Sequence, residues 1–278
     1  MKYNNKITTV LALLILTSGV SYSGHANAQV DYVGEGSYII DILDNGGNIY
    51  GVFVPGNEGV YSVDMAEELA SNEQLDYLFL NLEGIYTTAA IDVLVEGISR
   101  VPPADRPTLL VRIPTIDDAG YELTLQRINE VLEHGGDGIV FPHISSAAMA
   151  AYLSGYMEGL GVDVWSPQNP DGKFITVYML EDGHAITQAY EVAEVGGYSF
   201  LSCGIGSLSG DLGSSELGEA GCLEVLAQAT RGNYPSMMTS YTPDAFAQRV
   251  EEGYTGLLSI WNDDTTGIFR RAREVVGD

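Results

Sequence analysis

The sequence predicts an α/β protein of the (β/α)8 TIM-barrel class, on three observations. Eight short apolar runs rich in β-formers recur along the chain. Most are nearly continuous in hydrophobicity, as expected of strands buried on both faces of a parallel sheet. Segments of helical character separate them, and the alternation fills about 250 residues, the usual size of such a barrel. A doubly wound open sheet shows the same alternation; the count of eight favours closure.

The predicted strands are residues 50–54, 77–82, 108–113, 138–144, 174–180, 198–203, 236–240 and 256–261. Helical spacing predicts helices at 63–71, 123–134, 145–159 (opened by a serine cap), 182–195, 244–252 and 265–276. A further helix at 37–43 is expected to plug the lower end of the barrel. Residues 204–221, GIGSLSGDLGSSELGEAG, are so rich in glycine and serine that they read as a loop, either functional or a plain connector.

The first 28 residues are read as a signal peptide: Lys2 and Lys6, then the apolar run VLALLILTSGV at 10–20, then Ala26-Asn27-Ala28 as a cleavage site. The run is shorter than the roughly 20 residues that span a bilayer. The expectation is an exported, periplasmic or extracellular protein with one barrel domain over 29–278. The chain carries 38 acidic against 12 basic residues, a net charge of −26. Such a surface repels nucleic acid and anionic membranes, so neither is an expected partner. With 45% hydrophobic residues the chain is no disordered acidic tail. Export permits a disulfide between Cys203 and Cys222, and the sequence leaves that pairing open. No zinc-ligand spacing, phosphate loop, G-x-S-x-G or H-E-x-x-H occurs.

Several strand ends carry chemistry. Arg112 closes the third apolar run, where a buried guanidinium must find an anion. Glu83 and Glu181 follow the second and fifth runs, and His143 follows Pro142 at the end of the fourth. The order and local pattern of these segments resemble the HpcH/HpaI aldolase/citrate lyase family. LDYLFLNLEGIYT (75–87) is similar to the family's strand-two segment, LLVRIP (109–114) to its strand three, and LEHGGDGIVFPHISSAAMA (132–150) to its L-D-x-G-A-x-G segment. VYMLEDGHAI (177–186), GGYSFLSCGIGSLSGDLG (196–213) and TPDAFAQRVEEGYTGLLSIWNDDT (242–265) follow in the family's order.

The resemblance implies a lyase that makes or breaks a carbon–carbon bond through a stabilised enolate, with a divalent metal, Mg2+ or Mn2+, as cofactor. It places the substrate-binding arginine at Arg112 and the metal-binding glutamate at Glu181, with Glu83 as the acidic residue of strand two. The plain alternatives are a structural salt bridge for Arg112 and a solvated helix-start carboxylate for Glu181. Three matches fail. Gly84 stands where the family has its histidine, Asn81 where it has an aspartate, and Ser207 where it has the second metal carboxylate. The segment VWSPQNPDGK (164–173) replaces a longer loop used by the family for substrate and subunit packing.

His143 is the remaining candidate acid/base, since imidazole titrates near neutrality; the alternative is a packed histidine bonded to backbone. His184 ranks behind it, and Asp211, four residues past Ser207, could swing in as the missing second metal carboxylate. Tyr86 and Trp165 are expected to line a pocket for an aromatic or apolar ligand and Ser207 to touch substrate, the substrate being an anionic or aromatic small molecule. A homo-oligomer is compatible with these features. The contrasting expectation is a non-catalytic secreted binding protein on a decayed aldolase barrel. Arg112→Ala is expected to remove ligand binding with little loss of fold.

Overall fold

The computed structural model describes residues 38–56 and 60–277. The proposed signal peptide lies outside them, as does the first residue of the proposed plug helix. Eight parallel strands run in the order β6-β5-β4-β3-β2-β1-β8-β7. They are β1 (Ile49–Phe53), β2 (Tyr77–Asn81), β3 (Thr108–Arg112), β4 (Gly138–Phe141), β5 (Ile175–Leu180), β6 (Phe200–Cys203), β7 (Met237–Thr239) and β8 (Gly256–Ile260). The β1–β8 ladder brings the two ends of the chain together. Between β6 and β7 the ladder is replaced by two bonds: Leu201 N–H to the Pro235 carbonyl (3.2 Å) and Met237 N–H to Ser202 Oγ (3.0 Å). The result is a (β/α)8 barrel.

Alternation along the strands sorts the core into two layers. Ile49, Tyr77, Phe79, Leu110, Val140, Ile175, Val177, Phe200, Met237 and Leu258 form one cluster, with Ile39 and Ile40 of α1 (Tyr38–Asp44). Their neighbours Leu78, Leu80, Leu109, Val111 and Ile139 belong to a larger cluster shared with the helices. Because side chains alternate with period two, the first set fills the barrel and the second faces the helical ring. Helix α1 caps the lower end, its Ile39 N–H donating to Thr108 Oγ1.

The remaining helices are α2 (Val63–Ala70), α3 (Thr88–Ser99), α4 (Ile116–Glu133), α5 (Ala147–Gly159), α6 (Gly183–Thr187), α7 (Ala189–Ala193), α8 (Ile205–Leu212), α9 (Ser215–Arg231), α10 (Pro243–Glu252) and α11 (Thr265–Val276). Side-chain oxygens of Ser62, Thr115, Ser146, Asp182, Ser214 and Thr242 cap α2, α4, α5, α6, α9 and α10. Two expectations are corrected here. The glycine- and serine-rich stretch is not a loop: it forms α8 and the first part of α9, separated by Gly213 in the left-handed conformation (φ 65°) and by the Ser214 cap. Helix α3 was not anticipated. No helix among the described residues is long and apolar enough to cross a membrane.

Cys203 and Cys222 are disulfide-bonded, with Cα atoms 5.3 Å apart. The bond ties the end of β6 to α9 and closes a loop with a sequence separation of 19. A loop near this size restricts the unfolded chain by about 3 kcal/mol. The double substitution Cys203→Ser/Cys222→Ser is expected to lower unfolding free energy by about that amount, read from urea unfolding under non-reducing conditions.

Candidate functional site

Four adjacent strands deliver the candidate residues to one end of the barrel. Arg112 is the last residue of β3, two positions after the inward-facing Leu110, so its side chain enters the barrel lumen. Glu181 follows β5 with the same parity as Val177 and Met179. Glu83 lies two residues past β2 and His143 two past β4. All four stand at the carboxyl ends of parallel strands, the face on which barrels build their sites.

Glu181 is 1% exposed and Arg112 8%. Arg112 Nη2 donates to Glu83 Oε1 at 2.8 Å and straddles Glu181, at 3.0 Å from Oε2 and 3.3 Å from Oε1. His143 adopts a left-handed backbone (φ 50°), a conformation that histidine tolerates better than most side chains. Its N–H donates to Glu181 Oε2 at 3.1 Å. Its Nε2 stands 3.8 Å from Glu83 Oε1 and 3.7 Å from Glu181 Oε2. The cluster formally holds two carboxylates against one guanidinium. Arg112 Nε is buried with no hydrogen-bond partner among the described residues, as are the Nε atoms of Arg127, Arg249 and Arg273.

The donor chemistry fits a divalent cation. Ligand atoms from Glu83, His143 and Glu181 all lie within 4.8 Å of one another. Glycine at 204 is required by this packing: a β-carbon there would fall 1.9 Å from Glu181 Oε1 and 2.6 Å from its carboxyl carbon.

Three candidates are placed elsewhere. Trp165 is 3% exposed in the segment before β5, and its indole N–H donates to Asp44 of α1, at the lower end of the barrel. It does not line the mouth, because a segment leading into a strand lies opposite the strand's carboxyl end. Tyr86 packs between α3 and α4 under the Arg127 guanidinium (4.9 Å to the ring centroid), and its hydroxyl reaches the Arg127 carbonyl. Burial and nearby Glu130 push its phenol well above its ordinary range. Ser207 is exposed on α8 and reaches none of the four residues. His184 is exposed on α6. Asp211 accepts the Gly183 N–H at 2.8 Å, fastening α8 to the segment just after Glu181. This bracing was not anticipated; the GD pair at 210–211 was its only trace in the sequence. Asn81 Oδ1 accepts the Glu83 N–H and so shapes the turn that carries Glu83.

No family model matches the chain, and no curated protein matches it. Solved structures do. An HpcH/HpaI aldolase/citrate lyase family protein from Burkholderia cenocepacia J2315 superposes with a TM-score of 0.64 at 19% identity, covering 86% of this chain and 97% of that one. An HpcH/HpaI aldolase from Desulfitobacterium hafniense DCB-2 gives 0.62 at 20%, over 87% and 96%. Protein CitE from Mycobacterium tuberculosis, in complex with magnesium and acetate, gives 0.58 at 14%, over 85% and 93%. At these identities the likeness shows a shared (β/α)8 fold.

The burial of Glu181 corrects one expectation. Arg112→Ala would leave that carboxylate buried without its cation, which costs about 3–5 kcal/mol. The variant is therefore expected to be strongly destabilised, as urea unfolding will show. Gly204→Ala is expected to cost about 1–3 kcal/mol through overpacking against Glu181. Gly206→Ala, on the same helix with open space around it, should be neutral or stabilising by up to about 1 kcal/mol. Equal effects at 204 and 206 would show that Glu181 is not held against the backbone.

Proposed function

We propose that the chain is an exported lyase related to the HpcH/HpaI aldolases, cleaving a carbon–carbon bond in a small oxo acid by way of an enolate. The observation that carries this reading is the buried Arg112, which keeps a free donor at the mouth of a barrel while its other contacts go to carboxylates on two neighbouring strands. A guanidinium in that setting binds a carboxylate in fork geometry and stabilises a developing oxyanion without reorganising. Glu181 and its neighbours would hold a divalent cation, which supplies Lewis-acid stabilisation of the enolate oxygen. The magnesium-bound structural neighbour supports that assignment.

Glu83 is partly exposed, at 26% for its side chain, and stands where a proton can pass between substrate and solvent. Arg112 keeps Glu83 oriented towards the centre. The bond broken is the one beta to the oxo group. The hydroxyl on the far carbon of that bond gives up its proton as the carbon leaves as an aldehyde, the bonding electrons pass into the enolate, and the enolate takes a proton at carbon to leave the product oxo acid. Export is supported by the disulfide, which persists in oxidising compartments. The absence of a side chain at Gly84 and the exposure of Ser207 favour a second reading, a secreted binding protein that holds a small carboxylate without turning it over.

Arg112→Lys separates charge from fork geometry while keeping Glu181 paired. With a panel of 4-hydroxy-2-oxo acids and Mg2+ or Mn2+, the wild-type chain is expected to release pyruvate. Arg112→Lys is expected to lose about 100-fold or more in kcat/KM, corresponding to about 2.7 kcal/mol. A wild-type chain that binds pyruvate calorimetrically but turns over none of the panel supports the binding protein. One that does neither overturns both readings.

A further inference from the structure

We infer that His143 is a metal ligand: its Nε2 and the Glu181 carboxylate form the protein half of a mixed nitrogen–oxygen site for a transition-metal dication, in preference to Mg2+. The inference rests on the lyase reading for the site's purpose and on geometry for the ligand set.

His143 Nε2 lies 3.7 Å from Glu181 Oε2. Two atoms bound to one ion at about 2.1 Å each are about 3–4 Å apart, so the pair is spaced for a shared ion with little movement. The backbone prepares the arrangement. The left-handed turn at His143 aims its own N–H at Glu181 Oε2, fixing the carboxylate beside the ring that it would share an ion with. Glycine at 204 lets that carboxylate sit against the β6–α8 connection, and Arg112 holds it from the other side.

Glu83 Oε1 is 3.8 Å from the same imidazole nitrogen. Arg112 bonds Glu83 more closely (2.8 Å) than either oxygen of Glu181 (3.0 and 3.3 Å). One guanidinium thus serves two carboxylates, which leaves a formal negative charge for a second cation beside Glu181 and His143. A division of labour follows. Glu181 and His143 take the ion, and Glu83, paired with Arg112, is left to carry the proton. The unpartnered Arg112 Nε, in a side chain 10% exposed, adds a donor for an anion beside the ion.

The identity of the donors sets the metal. Mg2+ is a hard ion that prefers oxygen ligands and gives up water reluctantly. Imidazole suits first-row transition metals, with affinity rising from Mn2+ towards Cu2+. Mn2+ is the mildest test. Calorimetric titration of the full chain with Mn2+ alone and with Mg2+ alone is expected to show Mn2+ bound at least tenfold more tightly. Pulsed electron paramagnetic resonance of the bound Mn2+ should show 14N coupling from one imidazole. His143→Asn keeps the backbone N–H and suits the left-handed conformation, so it should fold. It should abolish the 14N coupling and the tenfold preference. Bound Mn2+ without 14N coupling, coupling that survives in His143→Asn, or no Mn2+ binding would each overturn the inference. Pyruvate release by a chain lacking the coupling would preserve the lyase reading while removing His143 from the metal; coupling without pyruvate release would do the reverse.

Discussion

The ion pair between Arg112 and Glu181 is the constraint around which the mouth of the barrel is organised. A carboxylate at 1% exposure is costly to bury unless it is paired and hydrogen-bonded. The chain meets that cost from three elements. The β3 terminus supplies the guanidinium, the turn after β4 supplies a backbone N–H through an unusual conformation, and the β6–α8 connection supplies room by leaving out a β-carbon. These features exceed what a salt bridge needs for stability alone, since a hydrophobic pair of similar volume is often as stable. That surplus is the physical reason for seeing a ligand site here.

The site follows from strand geometry. In a parallel barrel every strand ends at the same face, and inward positions recur every second residue. Residues that continue the inward series on β2, β3 and β5 therefore converge whatever lies in the helices between them, while His143, out of phase with the inward Val140, is brought in by its left-handed turn. Low identity to the structural neighbours is compatible with a shared barrel, whose strand order tolerates wide change in the outer ring.

The same logic marks what could be read from the sequence. Runs such as YLFLN and TLLVR announce buried strands, and the polar residues that close them, Glu83 and Arg112, stand out against apolar neighbours. Local sequence is silent where a residue's partner is distant along the chain, and it misleads where composition and packing disagree. Trp165 looked like a pocket aromatic because nothing local shows that its segment enters a strand from below; its Asp44 partner is 121 positions away. Tyr86 is engaged by Arg127, a contact that exists only once α3 and α4 pack. Helix α3, TAAIDVLVEGIS, hides behind β-branched residues and an interior glycine, both poor helix formers. In 204–221 glycine and serine are mostly breakers, yet one Gly-Ser pair ends α8 and starts α9 while tertiary packing holds the rest in helices.

The wall of the barrel has one seam, between β6 and β7, where a regular ladder gives way to two isolated bonds. The covalent cross-link sits on the flank of that seam: Cys203 ends β6, and Cys222 lies on α9, the helix that leads into β7. A staple therefore stands where the cylinder is least hydrogen-bonded, and Cys203 immediately precedes Gly204, the residue against which the Glu181 carboxylate packs. Mechanical integrity of the ring and the redox state of its surroundings are thereby joined in one place. Such a molecule would keep its shape best outside the reducing interior of a cell.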